Sequence, residues 1–234
     1  MKVGILQCDD VLAELQVKHG NYPAMFQHLL HGQDPSLELT FYRALDGELP
    51  KNIDECDAYI TTGSKHSVND DYPWITQLED FVRQLHQHKK KLVGICFGHQ
   101  LIAKALGGEV IQAPQGWGVG VATHALQALP SGASVQDKQA VSLLVIHQDQ
   151  VVSLPKDTQV LAGSEFCPNY MLQVGKHFLG IQGHPEFNKP YTYDLMHARK
   201  AVIPSAVLDD AFTSLDSSID SEVVTRWMLS FIHT

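Results

Sequence analysis

A chain of 234 residues with 44% apolar residues and a formal charge of −9 is sized and composed for one α/β domain with a substantial core. No apolar run approaches the roughly 20 residues of a membrane-spanning helix, and the basic residues form no stripe beyond Lys89-Lys90-Lys91, so neither a membrane nor nucleic acid is an expected partner. Four cysteines, Cys8, Cys56, Cys96 and Cys167, show neither CxxC spacing nor scaffold density, and reduced thiols are expected.

In chain order, the opening segment Met1 to Cys8 lacks an apolar core followed by a small-residue cleavage site, so it reads as a first strand and places the protein in the cytoplasm. Short apolar runs at Val3 to Leu6, Ala58 to Ile60, Leu92 to Ile95, Val141 to Ile146 and Phe178 to Ile181 have the length and flanks of buried parallel strands. Between the second and third, Pro73 opens a helical pattern carried by Trp74, Leu78, Phe81, Val82 and Leu85. The lysine cluster follows it, where the helix dipole favours cations. Strand, helix, strand in that order is a right-handed βαβ unit.

A second helical pattern begins directly after Cys96, with Leu101, Ile102, Ala105 and Leu106 apolar and Gly107-Gly108 as its stop. The Gly-rich stretch Gln115 to Gly120 and its alternating flanks predict antiparallel strands added to the main sheet, and Gly132 to Gln139 reads as a polar turn. From Tyr191 the pattern is helical, broken at Val202-Ile203-Pro204, with Val223, Val224, Trp227, Met228 and Phe231 on the apolar face of a last helix.

Gly94-Ile95-Cys96-Phe97-Gly98 has the form of a nucleophile elbow with cysteine in the serine position, and it lies in the strand-to-helix context the motif needs. Glycines allow the tight turn that lifts the sulfur to a helix N-terminus, where the dipole favours a thiolate. The N–H of Phe97 would then point at a substrate carbonyl oxygen. In Gly183-His184-Pro185-Glu186, Pro185 holds His184 extended, so residues i and i+2 project from one face and the carboxylate can orient the imidazole as a general base for Cys96.

Gly94 to Gln100 and Gly180 to Glu186 together resemble the two signatures of the class I, or triad, glutamine amidotransferases. The resemblance implies an α/β, flavodoxin-like, three-layer domain with a mainly parallel central sheet, added antiparallel strands and a helical C-terminal tail. It covers residues 1–190 as the amidotransferase domain, with 191–234 as a helical extension packed on it. It implies that Cys96 attacks a γ-glutamyl amide with His184 and Glu186 as partners, and that a thioester is then hydrolysed. Thr61-Thr62-Gly63-Ser64 is similar to the family's Gly-rich turn, which implies that the N–H groups of Gly63 and Phe97 form the oxyanion hole. Ile146-His147-Gln148-Asp149 resembles the Ser-His-Gly-Asp segment lining the glutamine pocket, with Gln148 in place of a glycine, and Gln100 is similar to the glutamine facing the bound amino acid.

Thr62-Gly63-Ser64, the Asp71 to Ile75 segment, Gly116-Trp117-Gly118 and Gly183 resemble the stand-alone branch that includes γ-glutamyl peptide hydrolases. A small γ-glutamyl substrate, glutamine or a peptide, is therefore expected. Neither metal nor cofactor is: His86 and His88 lie on different helix faces, and Gly116 to Gly120 lacks the full dinucleotide fingerprint. Two other readings stand beside the hydrolase: a glutaminase subunit that feeds ammonia to a separate synthetase, and a catalytically silent binding or regulatory protein. The stretch after Glu186 is too short to hold a synthetase domain, and no phosphate loop is present.

Overall fold

Alternation between short apolar strands and amphipathic helices sets the architecture. The computed structural model describes residues 1–134 and 138–234. In chain order β1 (Lys2–Leu6) leads through α1 (Ala13–His19) and α2 (Tyr22–His31) to β2 (Glu38–Tyr42), then to β3 (Ala58–Thr61), α3 (Pro73–Gln87), β4 (Lys91–Ile95) and α4 (Phe97–Ala105). There follow β5 (Glu109–Gln112), β6 (Gly118–Leu126), β7 (Ala140–His147), β8 (Asp149–Ser153), β9 (Thr158–Gly163), β10 (Met171–Val174) and β11 (Phe178–Ile181). Three helices come last, α5 (Lys189–Ala198), α6 (Ser205–Ser214) and α7 (Ser221–Ile232).

The main sheet has the order β2-β1-β3-β4-β11-β10-β9-β6-β7. Its first five strands are parallel and its last four join antiparallel, which gives the doubly wound order of a flavodoxin-like fold with an antiparallel wing. Two apolar clusters lie on its two faces. Ile5, Ile60, Val93 and Leu179 face one, together with Phe26 of α2, Leu195 of α5 and Trp227 of α7; their chain neighbours Leu6, Tyr59, Leu92 and Phe178 face the other, with Leu78 of α3 and Leu101 of α4. Successive side chains of a strand point to opposite faces, so strands of continuous apolar sequence need helices on both sides. Each fully buried aliphatic or aromatic side chain contributes roughly 1.5–3 kcal/mol of transfer free energy. Strands of this kind therefore fix the sheet even where they are only four or five residues long.

The helical tail is part of this packing: Val224, Trp227, Met228 and Phe231 of α7 are buried in the first cluster. The run Val141 to Ile146 departs from its expected role. It forms β7, which pairs antiparallel with β6 at the sheet edge and is not a parallel strand. Its continuous apolar character comes from cover by the rest of the chain. Asp220, at the start of α7, accepts from the N–H of Ser142 at 2.9 Å and donates its own N–H to the Ser142 carbonyl at 2.7 Å. The N–H of His184 donates to the Leu144 carbonyl at 2.8 Å. Apolar length reports burial, not strand direction. β5 and β8 form a separate antiparallel pair that carries Asp149 to the end of the main sheet. Of the expected polar turn at Gly132 to Gln139, Val135 to Asp137 lie outside the described residues.

Candidate active site

The C-terminal ends of β3, β4 and β11 meet at one edge, the position at which doubly wound sheets present their functional groups. Cys96 stands between β4 and α4 with φ 49° and ψ −97°, a conformation that costs a non-glycine residue of order 1–3 kcal/mol and persists only where the surroundings impose it. Here they do. A Cβ on Gly94 would come within 2.5 Å of the Gly98 carbonyl carbon, and one on Gly98 would fall on the Thr61 hydroxyl of β3. The Cys96 backbone is also tied down, its N–H donating to Ile181 at 2.8 Å and its carbonyl accepting from Gln100 at 3.1 Å. The sulfur receives a hydrogen bond from Gln182 Nε2 at 3.4 Å. Cys96 is only 5% exposed, and Cys8, Cys56 and Cys167 are buried free thiols.

Beyond β11 the chain stays extended, and His184 and Glu186 project together. His184 Nδ1 donates to Glu186 Oε1 at 2.8 Å, both side chains being almost fully buried. The imidazole lies flat on Phe187, with ring centroids 3.9 Å apart and planes 4° from parallel. Its other face is limited by Gly63: a Cβ there would lie 2.7 Å from His184 Cε1 and 3.6 Å from the Cβ of Cys96, so turn, thiol and imidazole converge on one point. Burial alone would lower the His184 pKa, but the Glu186 carboxylate and the Cys96 sulfur outweigh it and raise the ring to about 10. His184 Nε2 is buried and has no hydrogen-bond partner among the described residues. Nor do the N–H groups of Gly63 and Phe97 donate to a protein acceptor among those residues. Such donors beside a thiol are suited to receive an oxyanion.

A cleft of about 290 Å³ opens at the sulfur, and its lining includes Cys96, Gln100, Ile146, His147, Gln148 and Asp149 together with Lys65, His66, Trp117 and Arg199. Gln100 Nε2 donates to the Asp149 carbonyl at 2.9 Å and to Gln182 Oε1 at 3.0 Å, so its amide nitrogen is engaged in holding the cleft floor together. Asp149 Oδ2 accepts from Ser67 Oγ at 2.5 Å. His147 is buried, which lowers its pKa to about 4 despite the Asp149 carbonyl 3.2 Å from Nδ1, and it is therefore neutral at pH 7.

All the residues singled out from the sequence thus come to one place. Cys96, Gln100, His147, Gln148 and Asp149 share the cleft, His184 and Glu186 lie behind the thiol, and Gly63 and Phe97 flank it. Three contributors were not anticipated. Gln182, on the sulfur, shares its strand parity with His184 and could have been found by it. Phe187 had the signal of an aromatic next to the His-Pro-Glu segment. Arg199 had none, because it is brought in from the far end of α5.

Parallel sheet, strand-to-helix cysteine and adjoining His-Glu pair together define the amidotransferase type of α/β fold. The whole chain superposes on a glutamine amidotransferase from Methylobacillus flagellatus with a TM-score of 0.74 at 21% identity, covering 100% of this chain and 92% of that one. Residues 41–198 match the glutamine amidotransferase class-I family, and the chain belongs to it. Among its relatives are gamma-glutamyl peptidase 4 of Arabidopsis thaliana, 35% identical over 76% of this chain and 72% of that protein, and gamma-glutamyl peptidase 3, 33% identical over 66% and 65%. The alignment therefore spans about two thirds of the latter's length.

Proposed function

We propose that the chain is a cysteine hydrolase of γ-glutamyl amide bonds, acting on a γ-glutamyl peptide through Cys96, His184 and Glu186. The observation that carries the reading is the buried His184, held by Glu186 at 2.8 Å, beside a cysteine fixed in an elbow by Gly94, Gly98 and Thr61. Family membership and the gamma-glutamyl peptidase relatives support it.

The thiolate of Cys96 adds to the γ-carbonyl carbon. The oxygen, now negative, is received by the N–H groups of Gly63 and Phe97, and Nε2 of the protonated His184 delivers its proton to the departing amine. Loss of that amine leaves a γ-glutamyl thioester and a neutral His184. A water then enters, His184 takes its proton, the hydroxide adds to the thioester, and glutamate leaves with regeneration of the thiolate and imidazolium. Glu186 stabilises the ring in its charged form throughout. Gln100, His147, Gln148 and Asp149 would hold the glutamyl group, with His147 neutral and able to accept as well as donate. No metal or cofactor enters these steps.

The gamma-glutamyl peptidase relatives favour a leaving group larger than ammonia, and Ile146 and Gln148, which line the cleft, stand where the family resemblance implies small residues. The test is kcat/KM of the purified chain for a γ-glutamyl dipeptide against glutamine. Faster hydrolysis of the dipeptide, with no partner protein added, is the expected result. Preference for glutamine, or inertness until a synthetase is supplied, would transfer the chain to the role of a glutaminase subunit.

A further inference from the structure

We infer that Arg199 receives the carboxylate of the amino acid or peptide that leaves when the γ-glutamyl bond is cut. The inference rests on the hydrolase reading above and names the leaving-group side of the same site. The departing nitrogen takes its proton from His184, so the leaving group must extend towards the imidazole and away from the segment that holds the glutamyl group. A second, small cavity of about 30 Å³ is lined by His184, with Asp9 and Asp10 also on its wall. Four residues, Ser64, Lys65, Ile146 and Arg199, line both it and the cleft over Cys96, whereas Gln100, His147 and Asp149 line only the cleft. The shared residues mark the direction a leaving group takes.

Two of the four are cations, and only one is available. Lys65 Nζ is paired with Asp9 at 2.9 Å, and its backbone N–H also binds that buried carboxylate at 2.8 Å. Arg199 has no carboxylate partner and no side-chain hydrogen bond among the described residues. Its backbone is held firmly, the N–H donating to Leu195 at 3.0 Å and the carbonyl accepting from Ile203 at 3.1 Å. A guanidinium fork with free donors on a fixed backbone matches a carboxylate bidentately. Ammonia carries no carboxylate, but an amino acid or peptide leaving group with a free C-terminus does.

The test compares γ-glutamylalanine with γ-glutamylalaninamide, which differ only in that carboxylate, on the wild type, Arg199→Gln and Arg199→Lys. Wild type should prefer the free acid. In Arg199→Gln the acid-to-amide ratio of kcat/KM should fall roughly 10- to 100-fold, the range of a charge-assisted hydrogen bond, and Arg199→Lys should lie between the two. A ratio unchanged by Arg199→Gln, whatever the absolute loss, overturns the inference alone and gives Arg199 a structural or glutamyl-holding role. Wild-type inertness towards both compounds overturns the γ-glutamyl peptide reading and the inference with it.

Discussion

The elbow around Cys96 and the rim of the cleft above it are built in opposite ways. At the elbow nearly every atom is fixed by a neighbour: Gly94 by Gly98, Gly98 by Thr61, and Gly63 by His184 and Cys96. At the rim, Lys65, Trp117 and Arg199 come from three distant segments, Lys65 exposed and the other two half-buried. The reacting atoms need placement to within a fraction of an ångström, which close packing of backbone supplies. Selection among leaving groups needs only a complementary charge at the right end of the cleft. Under the proposed function the difference separates what a substitution should cost: at the elbow it should remove turnover, and at the rim it should change which substrate is turned over.

The largest effect expected on the elbow side is that of Cys96→Ala or His184→Ala, each lowering kcat on a γ-glutamyl dipeptide by roughly 10⁴-fold or more while circular dichroism stays unchanged. Comparable activity in Cys96→Ala would remove the distinction between the two regions at once. Glu186→Gln should cost less, about 10²-fold, and should also move the pH profile. His184 is held at about 10, so the proton it donates is present below that pH and is lost as pH rises through it. The sign for stability is the same: a raised imidazole stabilises the fold in full below its ordinary value of 6.5, and that contribution fades as pH rises towards about 10. Without the carboxylate the alkaline limb of kcat should shift to lower pH. A limb in the same place would mean that Glu186 does not set the charge on the ring.

Gly98→Ala tests the steric half of the comparison, since its Cβ would fall on the Thr61 hydroxyl and force backbone to move. About 2–3 kcal/mol of lost stability is expected from such overpacking, which is a fall in Tm of roughly 4–12 °C. Differential scanning calorimetry would show it, and an unchanged Tm would mean the elbow is looser than its contacts imply. Smallest is Gln182→Ala. Loss of one 3.4 Å hydrogen bond to sulfur should lower kcat about 10-fold or less, readable in steady-state kinetics, and a loss as great as that of His184→Ala would make Gln182 part of the reacting unit.

What could be read from the sequence follows the same division. β1, β3, β4 and β11 and the groups at their ends were legible because buried parallel strands are short apolar runs and because the elbow and the His-Pro-Glu segment are each complete within a few residues. β2, whose residues Glu38 to Tyr42 are mostly half-buried, leaves no such run, and α1 has no buried residue to set a period. β7 was legible as a strand but not in its direction, since pairing with β6 and cover by Asp220 are tertiary events. Arg199 reaches the cleft only because α5 packs against α1 and the core cluster on one face of the sheet, and no local pattern encodes that.

The proposed thioester on Cys96 is the step on which both regions would depend, and partitioning with hydroxylamine tests it most directly. The purified chain would be supplied with a fixed concentration of hydroxylamine and several γ-glutamyl substrates differing only in leaving group, and γ-glutamyl hydroxamate and glutamate would be quantified. A common thioester, formed after the leaving group has gone, predicts one hydroxamate-to-glutamate ratio for every substrate, whatever its rate. A ratio that changes with the leaving group would contradict it, because the bond would then be cut by direct attack of water with no covalent intermediate.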